Sequence, residues 1–185
     1  RGKLGVWYTP REVAEYQVAR ADHHLRNDLG IEAGLADPSV YVLDPACGTG
    51  TYVAAVLRHI YQTNIDNGEA AAVAAGRARD AAIQRVIGFE ILPAAFIISH
   101  LHLGRMIHKL GAAPFGDDRL RVYLTNALTG WESDAAPVGQ TLFPELEEEL
   151  RDAAAVKHMD PVLVVLGNPP YEGYSSAESA EEHRM

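Results

Sequence analysis

Apolar residues along this chain gather into four short runs, separated by longer stretches in which they recur at helical spacing. The runs are Tyr41-Val42-Leu43, Arg85 to Glu90, Arg121 to Leu124 and Pro161 to Gly167. Each is short, rich in branched side chains and flanked by turn formers, so each predicts a strand. The stretches between them predict helices. Pro10 is placed to open the first, running to about Leu29 with Val13, Tyr16, Val18, Leu25 and Leu29 as its apolar face and Gly30 as its stop. Tyr52, Val53, Val56, Leu57 and Ile60 belong to the second, and the alanine-rich stretch from Gly68 to Gln84 to a third. Pro93 opens a fourth, ending near Leu110 before Gly111, and an acidic fifth runs from Pro144 to about His158. The segment from Gly130 to Thr141 reads as loop.

Strands alternating with helices in this way predict parallel strands joined by right-handed crossovers, an α/β protein with a Rossmann-like sheet. Four strands are fewer than open sheets of this kind usually carry. Residues 172–185, polar and acidic, are expected to form a flexible tail behind a domain spanning 1–171.

Composition narrows the picture. With 185 residues, 48% hydrophobic and 22% charged, the chain fits one globular domain with a substantial core. No apolar run reaches membrane-spanning length, so no membrane partner is expected. A single cysteine, Cys47, excludes an internal disulfide framework and leads us to expect a cytoplasmic protein. The net charge of −9 is unusual for a complete nucleic-acid-binding domain. Any grip on a polynucleotide is therefore expected to lie on sequence outside this chain, which we read as a piece of a larger protein. His100, His102 and His108 share one helix, but with a lone cysteine and no matching carboxylate spacing we expect no metal site.

The candidate chemistry lies where strands end. Asn168-Pro169-Pro170-Tyr171 follows the fourth run, and two prolines leave the backbone there extended and stiff. An asparagine carbonyl oxygen accepts a hydrogen bond from an amine, and a tyrosine ring offers a flat face for stacking. Together they suit a planar group bearing an amine, such as a flipped-out adenine. Asp44-Pro45-Ala46-Cys47-Gly48-Thr49-Gly50 joins the first strand to its helix, and Gly48 and Gly50 permit a tight turn close to a ligand. A nicotinamide-binding loop would want a third glycine where Val53 stands. The carboxylate of Asp44 instead suits a cationic ligand, such as the ammonium and sulfonium of S-adenosylmethionine. Glu90, ending the second strand, can accept hydrogen bonds from a ribose hydroxyl pair, and Ile91 can lie on an adenine face. Asn126, at the third strand end, can pair with an adenine edge or simply form a turn.

In this order, Tyr8-Thr9-Pro10, Asp44 to Gly50, Glu90, Asn126 and Asn168 to Tyr171 resemble the gamma group of N6-adenine DNA methyltransferases, the N-6 DNA methylases of restriction-modification systems. The resemblance implies a truncated S-adenosylmethionine-dependent methyltransferase fold, and duplex DNA as a partner held through a recognition domain not present in this chain. It implies that Tyr8, Thr9 and Pro10 pack on the methionine end of the cofactor. Asp44, Ala46, Gly48 and Gly50 would hold its amino-acid part, Glu90 and Ile91 its nucleoside, and Asn126 with Ala127 its adenine. Asn126 departs from the commoner aspartate. Asn168, Pro169, Pro170 and Tyr171 would be the catalytic turn. Protein glutamine-N5 methyltransferases are similar in that turn, because a glutamine amide presents the same planar amine. They are not expected to carry the Tyr-Thr-Pro segment. A non-catalytic cofactor-binding module is the remaining alternative, and the intact Asn168 and Tyr171 argue against it.

Overall fold

A computed structural model describes residues 9–113, 115–116, 118–129, 144–158 and 163–169. Strands β1 (Val42–Asp44), β2 (Val86–Glu90), β3 (Val122–Leu124) and β4 (Val164–Val165) form one sheet in the order β3-β2-β1-β4. All pairings are parallel, with Val42 opposite both Val86 and Val164, and Gly88 opposite Val122. The α/β expectation and its four parallel strands hold among the described residues.

The helices are α1 (Arg11–Asn27), α2 (Thr51–Asp66), α3 (Ala71–Gln84), α4 (Pro93–Lys109) and α5 (Pro144–Lys157), with a 3-10 turn at Gly34–Ala36. Strand order dictates where they lie. From β1 to β3 the chain steps along the sheet in one direction, so right-handed crossovers put the connecting helices on one face. Val18 and Leu25 of α1, Val56 and Ile60 of α2, Ala78 and Ala82 of α3, and Leu103 and Ile107 of α4 share the larger core there. From β3 the chain crosses back past β1 to reach β4, and α5 falls on the opposite face. That face carries a smaller core of Leu43, Ile87, Phe89, Tyr123 and Ala153.

Two differences from the sequence reading have clear physical causes. The buried stripe of α1 is Ala14, Val18, Asp22 and Leu25, whereas Val13, Tyr16 and Leu29 are exposed. A charged residue lies on the inner face because its partners are there. Asp22 Oδ1 accepts the Leu35 N–H at 2.7 Å, and Arg26 Nε donates to Oδ2 at 2.6 Å. The 3-10 turn, not expected from sequence, is held from its other side by buried Arg85, which donates to the carbonyls of Leu35 at 2.9 Å and Val40 at 3.0 Å. These two charges tie the segment before β1 to α1 and to the start of β2.

Candidate functional site

The chain leaves β1 for β2 on one side and returns to β4 on the other, so β1 and β4 meet at a topological switch point. In open parallel sheets the carboxyl ends of the strands at such a point form the ligand crevice. Asp44 ends β1, and Gly167-Asn168 follows β4. The two strand ends approach closely: a Cβ on Gly167 would stand 2.8 Å from Asp44 Oδ1.

Asp44 to Gly50 forms a loop bonded to its surroundings through the backbone. Cys47 N–H donates to the Phe89 carbonyl at 2.9 Å, and Gly50 N–H to the Cys47 carbonyl at 2.9 Å. His102 of α4 holds the loop from above, its Nδ1 lying 2.9 Å from the Thr49 carbonyl, which requires the proton on that nitrogen. Gly48 and Gly50 adopt φ of 57° and 85°, a left-handed backbone that a side chain would strain. The turn at Gly48 points its N–H at Glu90 Oε2, 2.7 Å away.

Asp44 is 2% exposed. Its Oδ1 accepts the Ala46 N–H at 3.1 Å, while among the described residues its buried Oδ2 has no hydrogen-bond partner. Burial pushes the carboxyl up to about 7, the Ala46 N–H works against that rise, and the charge of Glu90 adds to it. Such a group gains most from a cation placed beside it. Burial first, then the charges of Asp44 and Glu90, also raise the Cys47 thiol well above its ordinary range, so it is a packing residue rather than a nucleophile.

Glu90 is held as rigidly as its neighbour is not. Its Oε1 accepts the Leu92 N–H and its Oε2 the Gly48 N–H, both at 2.7 Å. Each oxygen keeps a lone pair for a further donor. Ile91, next in sequence, is 56% exposed at the sheet edge. Asn126 adopts the turn-forming role, its Oδ1 accepting the Leu128 N–H at 2.9 Å. That bond fixes the amide orientation and leaves the NH₂ end as a donor. Ala127 packs against the α5-side core.

Asn168 Nδ2 donates to Thr9 Oγ1 at 3.1 Å, joining two segments 159 residues apart. Thr9 is buried and Pro10 exposed at the head of α1. With its nitrogen held by Thr9, Asn168 has its Oδ1 without a hydrogen bond among the described residues. Pro169 is exposed beside it. Tyr8, Pro170, Tyr171 and residues 172–185 lie outside the described residues. The structure thus brings Thr9, Asp44, Gly48, Glu90, Asn126 and Asn168 to one edge of one sheet.

Sequence reasoning passed over Lys157 and considered His102 only as a metal ligand, yet both support this edge. Lys157 looked like an ordinary cation in the last turn of an acidic helix, and only its burial sets it apart. Among the described residues no group of three or more His, Cys, Asp or Glu side chains is arranged to hold a metal ion. No described helix is long and apolar enough to cross a membrane.

Neither models of known protein families nor curated proteins match the chain. Solved structures do. It is similar to a nuclease-deletion mutant of the Type ISP restriction-modification enzyme LlaGI in complex with a DNA substrate mimic, with TM-score 0.69 and 20% identity over 90% of this chain and 13% of that one. It is similar to the ATP-dependent Type ISP restriction-modification enzyme LlaBIII bound to DNA, with TM-score 0.69 and 24% identity over 99% of this chain and 11% of that one. The cryoEM structure of a DrdV–DNA complex gives TM-score 0.66 and 22% identity over 92% of this chain and 14% of that one. The chain therefore spans between 11% and 14% of the length of these neighbours, and at such identities the likeness is one of fold.

Proposed function

We propose that this chain is the cofactor-binding part of an S-adenosylmethionine-dependent DNA methyltransferase, acting on adenine N6 within a restriction-modification enzyme. The observation that carries the reading is Asn168, its amide nitrogen held by Thr9 and its oxygen left as an acceptor, one residue beyond the point where β4 passes Asp44. A loop that binds nucleotide phosphates in the P-loop manner would follow its last glycine with lysine, whereas Thr51-Tyr52 follows Gly50. The residues fit a nucleoside with a cationic arm: the orphaned oxygen of Asp44 suits an ammonium, Glu90 suits paired hydroxyls and Asn126 suits a base edge. Two of the three fold neighbours are Type ISP restriction-modification enzymes, and all three hold DNA or a mimic of it, which supports the same context.

When bound, the cofactor supplies an electrophilic methyl group. The chain's own work is on the acceptor. The N6 lone pair of adenine is delocalised into the ring, so the amine is a poor nucleophile. Asn168 Oδ1 and the Pro169 carbonyl each accept a hydrogen bond from one N6–H, draw the nitrogen toward tetrahedral geometry and stabilise positive charge as it develops, and one N6 proton passes to solvent once the methyl is gained. Tyr171 stacks on the extruded base, a contact worth about 1–3 kcal/mol at comparable sites. The rest of the acceleration comes from holding nucleophile and methyl in line.

A net charge of −9 does not neutralise phosphates, so the grip on duplex DNA falls to sequence beyond this chain. The test is to give the longer polypeptide methyl-labelled cofactor, with DNA in one reaction and a glutamine-bearing protein in another, and to identify the labelled product after digestion. N6-methyladenine is the expected product. Label on glutamine N5 alone would transfer the assignment to the protein-modifying alternative, and no label in either would leave a binding module.

A further inference from the structure

Lys157, the last residue of α5, is 7% exposed. A buried ammonium persists where its N–H bonds and its charge are both met. Lys157 Nζ donates to Thr125 Oγ1 at 2.9 Å, to the Asn126 carbonyl at 2.7 Å and to the Thr129 carbonyl at 2.6 Å. It also stands 5.5 Å from the centroid of the Phe89 ring. These three hydrogen bonds fall on the single turn after β3, and Phe89 immediately precedes Glu90. The same turn is tied to β2 by the Thr125 N–H, which donates to the Glu90 carbonyl at 2.8 Å.

The turn carries Asn126, whose Oδ1 is engaged by Leu128 N–H. The backbone of the turn is thus fixed from below by Lys157, and the amide is fixed within it. What the amide can offer a ligand is a donor, and what a donor selects is an acceptor. Adenine presents such an acceptor at N1, whereas hypoxanthine carries a proton there.

We infer that Lys157 is a positioning residue for base recognition: by drawing two carbonyls and a hydroxyl of the 125–129 turn onto one cation, it sets Asn126 to distinguish adenine from a 6-oxopurine. This rests on the nucleoside site proposed above. An apolar side chain of similar length at 157 can fill the volume but cannot hold two carbonyl oxygens inward. Its effect therefore falls on the turn and on base choice rather than on the sheet.

The experiment compares S-adenosylhomocysteine with its inosyl counterpart by calorimetry, in the wild type, Lys157→Met and Thr125→Val, alongside amide hydrogen exchange over Thr125 to Thr129. The wild type is expected to prefer the adenosyl ligand by at least about tenfold, as sites built around one hydrogen bond do. Lys157→Met is expected to bring the two affinities close to parity and to speed exchange in the turn. Thr125→Val, which keeps the cation and removes one acceptor, is expected to shift the ratio the same way by less. An unchanged ratio in Lys157→Met, with wild-type exchange, overturns the inference and leaves the proposed function standing. A wild type that binds neither ligand overturns both.

Discussion

Among the described residues two aspartates are buried, and they live under opposite conditions. Asp22, near the amino end of the sheet, is surrounded by partners: Leu35 N–H at 2.7 Å, Arg26 Nε at 2.6 Å and His59 Nε2 at 3.2 Å. Burial alone would raise its pKa, but the contacts from His59, Arg26 and Leu35 outweigh it and hold the carboxyl well below the usual carboxylate range. Asp44, at the carboxyl end, is also buried, has one backbone N–H and carries an oxygen with no partner among the described residues. There burial wins, and the carboxyl rises to about 7. Both oxygens of the first carboxylate have a hydrogen-bond donor within the protein. The second has an oxygen without one among the described residues, and unmatched burial of this kind concentrates where a protein binds something. We read the amino end of the sheet as holding the fold and the carboxyl end as offering the proposed site.

The largest expected effect lies at the offering end. Asn168→Ala is predicted to reduce methyl transfer by at least about 100-fold, the scale seen when a group that stabilises developing charge is removed. Affinity for S-adenosylhomocysteine is expected to stay within a few-fold, because Asp44 and Glu90 are untouched. Labelled-methyl incorporation and calorimetry read the two quantities separately. Near wild-type transfer by the variant would remove Asn168 from the mechanism.

At the completed end the effect is on folding. Asp22→Ala leaves the Leu35 N–H and Arg26 Nε without their acceptor, while Arg26 keeps the carbonyls of Glu32 and Ala33, and loss of one partner from such a cluster costs about 3 kcal/mol. Urea unfolding should show that loss, while ligand affinity per folded molecule stays unchanged. A loss under about 1 kcal/mol would mean that Asp22 is no better matched than Asp44.

This division was partly legible in the sequence. The order of strands and helices was, because hydrophobic period and Gly or Pro punctuation are local signals. So was the position of Asp44 to Gly50, Glu90, Asn126 and Asn168 at strand ends, since turn chemistry marks such ends. The contact between Asn168 and Thr9 was not, because no local pattern reports a hydrogen bond spanning 159 residues. The inner face of α1 was read correctly at Val18 and Leu25 and wrongly elsewhere for a related reason: apolarity favoured Val13 and Tyr16, while a tertiary partner drew Asp22 inside. Arg85 and Lys157 were invisible for the same cause. A charged residue inside a protein is explained by what meets it, and what meets it lies elsewhere in the chain.

Glu90 sharpens the comparison, because it is matched and still available. Glu90→Gln keeps the shape but loses the charge and turns an NH₂ toward the N–H of either Gly48 or Leu92. Binding of S-adenosylhomocysteine is predicted to weaken by about 2 kcal/mol through the loss of a charged acceptor. Calorimetry against the wild type measures it. An unchanged affinity would confine Glu90 to supporting the loop.

The smallest effect separates the two aspartates by pH. Asp44 has a folded-state pKa near 7, above that of an unfolded aspartate, so the folded protein binds the extra proton. Its contribution to stability is fully present below the unfolded pKa and is lost as pH rises through 7. Asp22 has the opposite sign: its lowered pKa contributes stability above the unfolded pKa, which is lost in acid. Between pH 5 and 8, then, the difference between wild type and Asp44→Asn reports Asp44 alone, and the asparagine variant should gain on the wild type as pH rises. A cationic ligand acts on the same proton from the other side, because it favours the ionised carboxylate and expels the proton on binding. Wild-type affinity for S-adenosylhomocysteine is therefore predicted to rise about tenfold from pH 6 to pH 8, one decade for one proton. Glu90 and the buried Cys47 also face this carboxyl: the charge of Glu90 adds to its rise, and burial pushes the Cys47 thiol well above its ordinary range. Calorimetry in buffers of different ionisation enthalpy should register the released proton in the wild type and none in Asp44→Asn. A flat pH profile in both proteins would mean that the orphaned oxygen of Asp44 does not meet the ligand's cation.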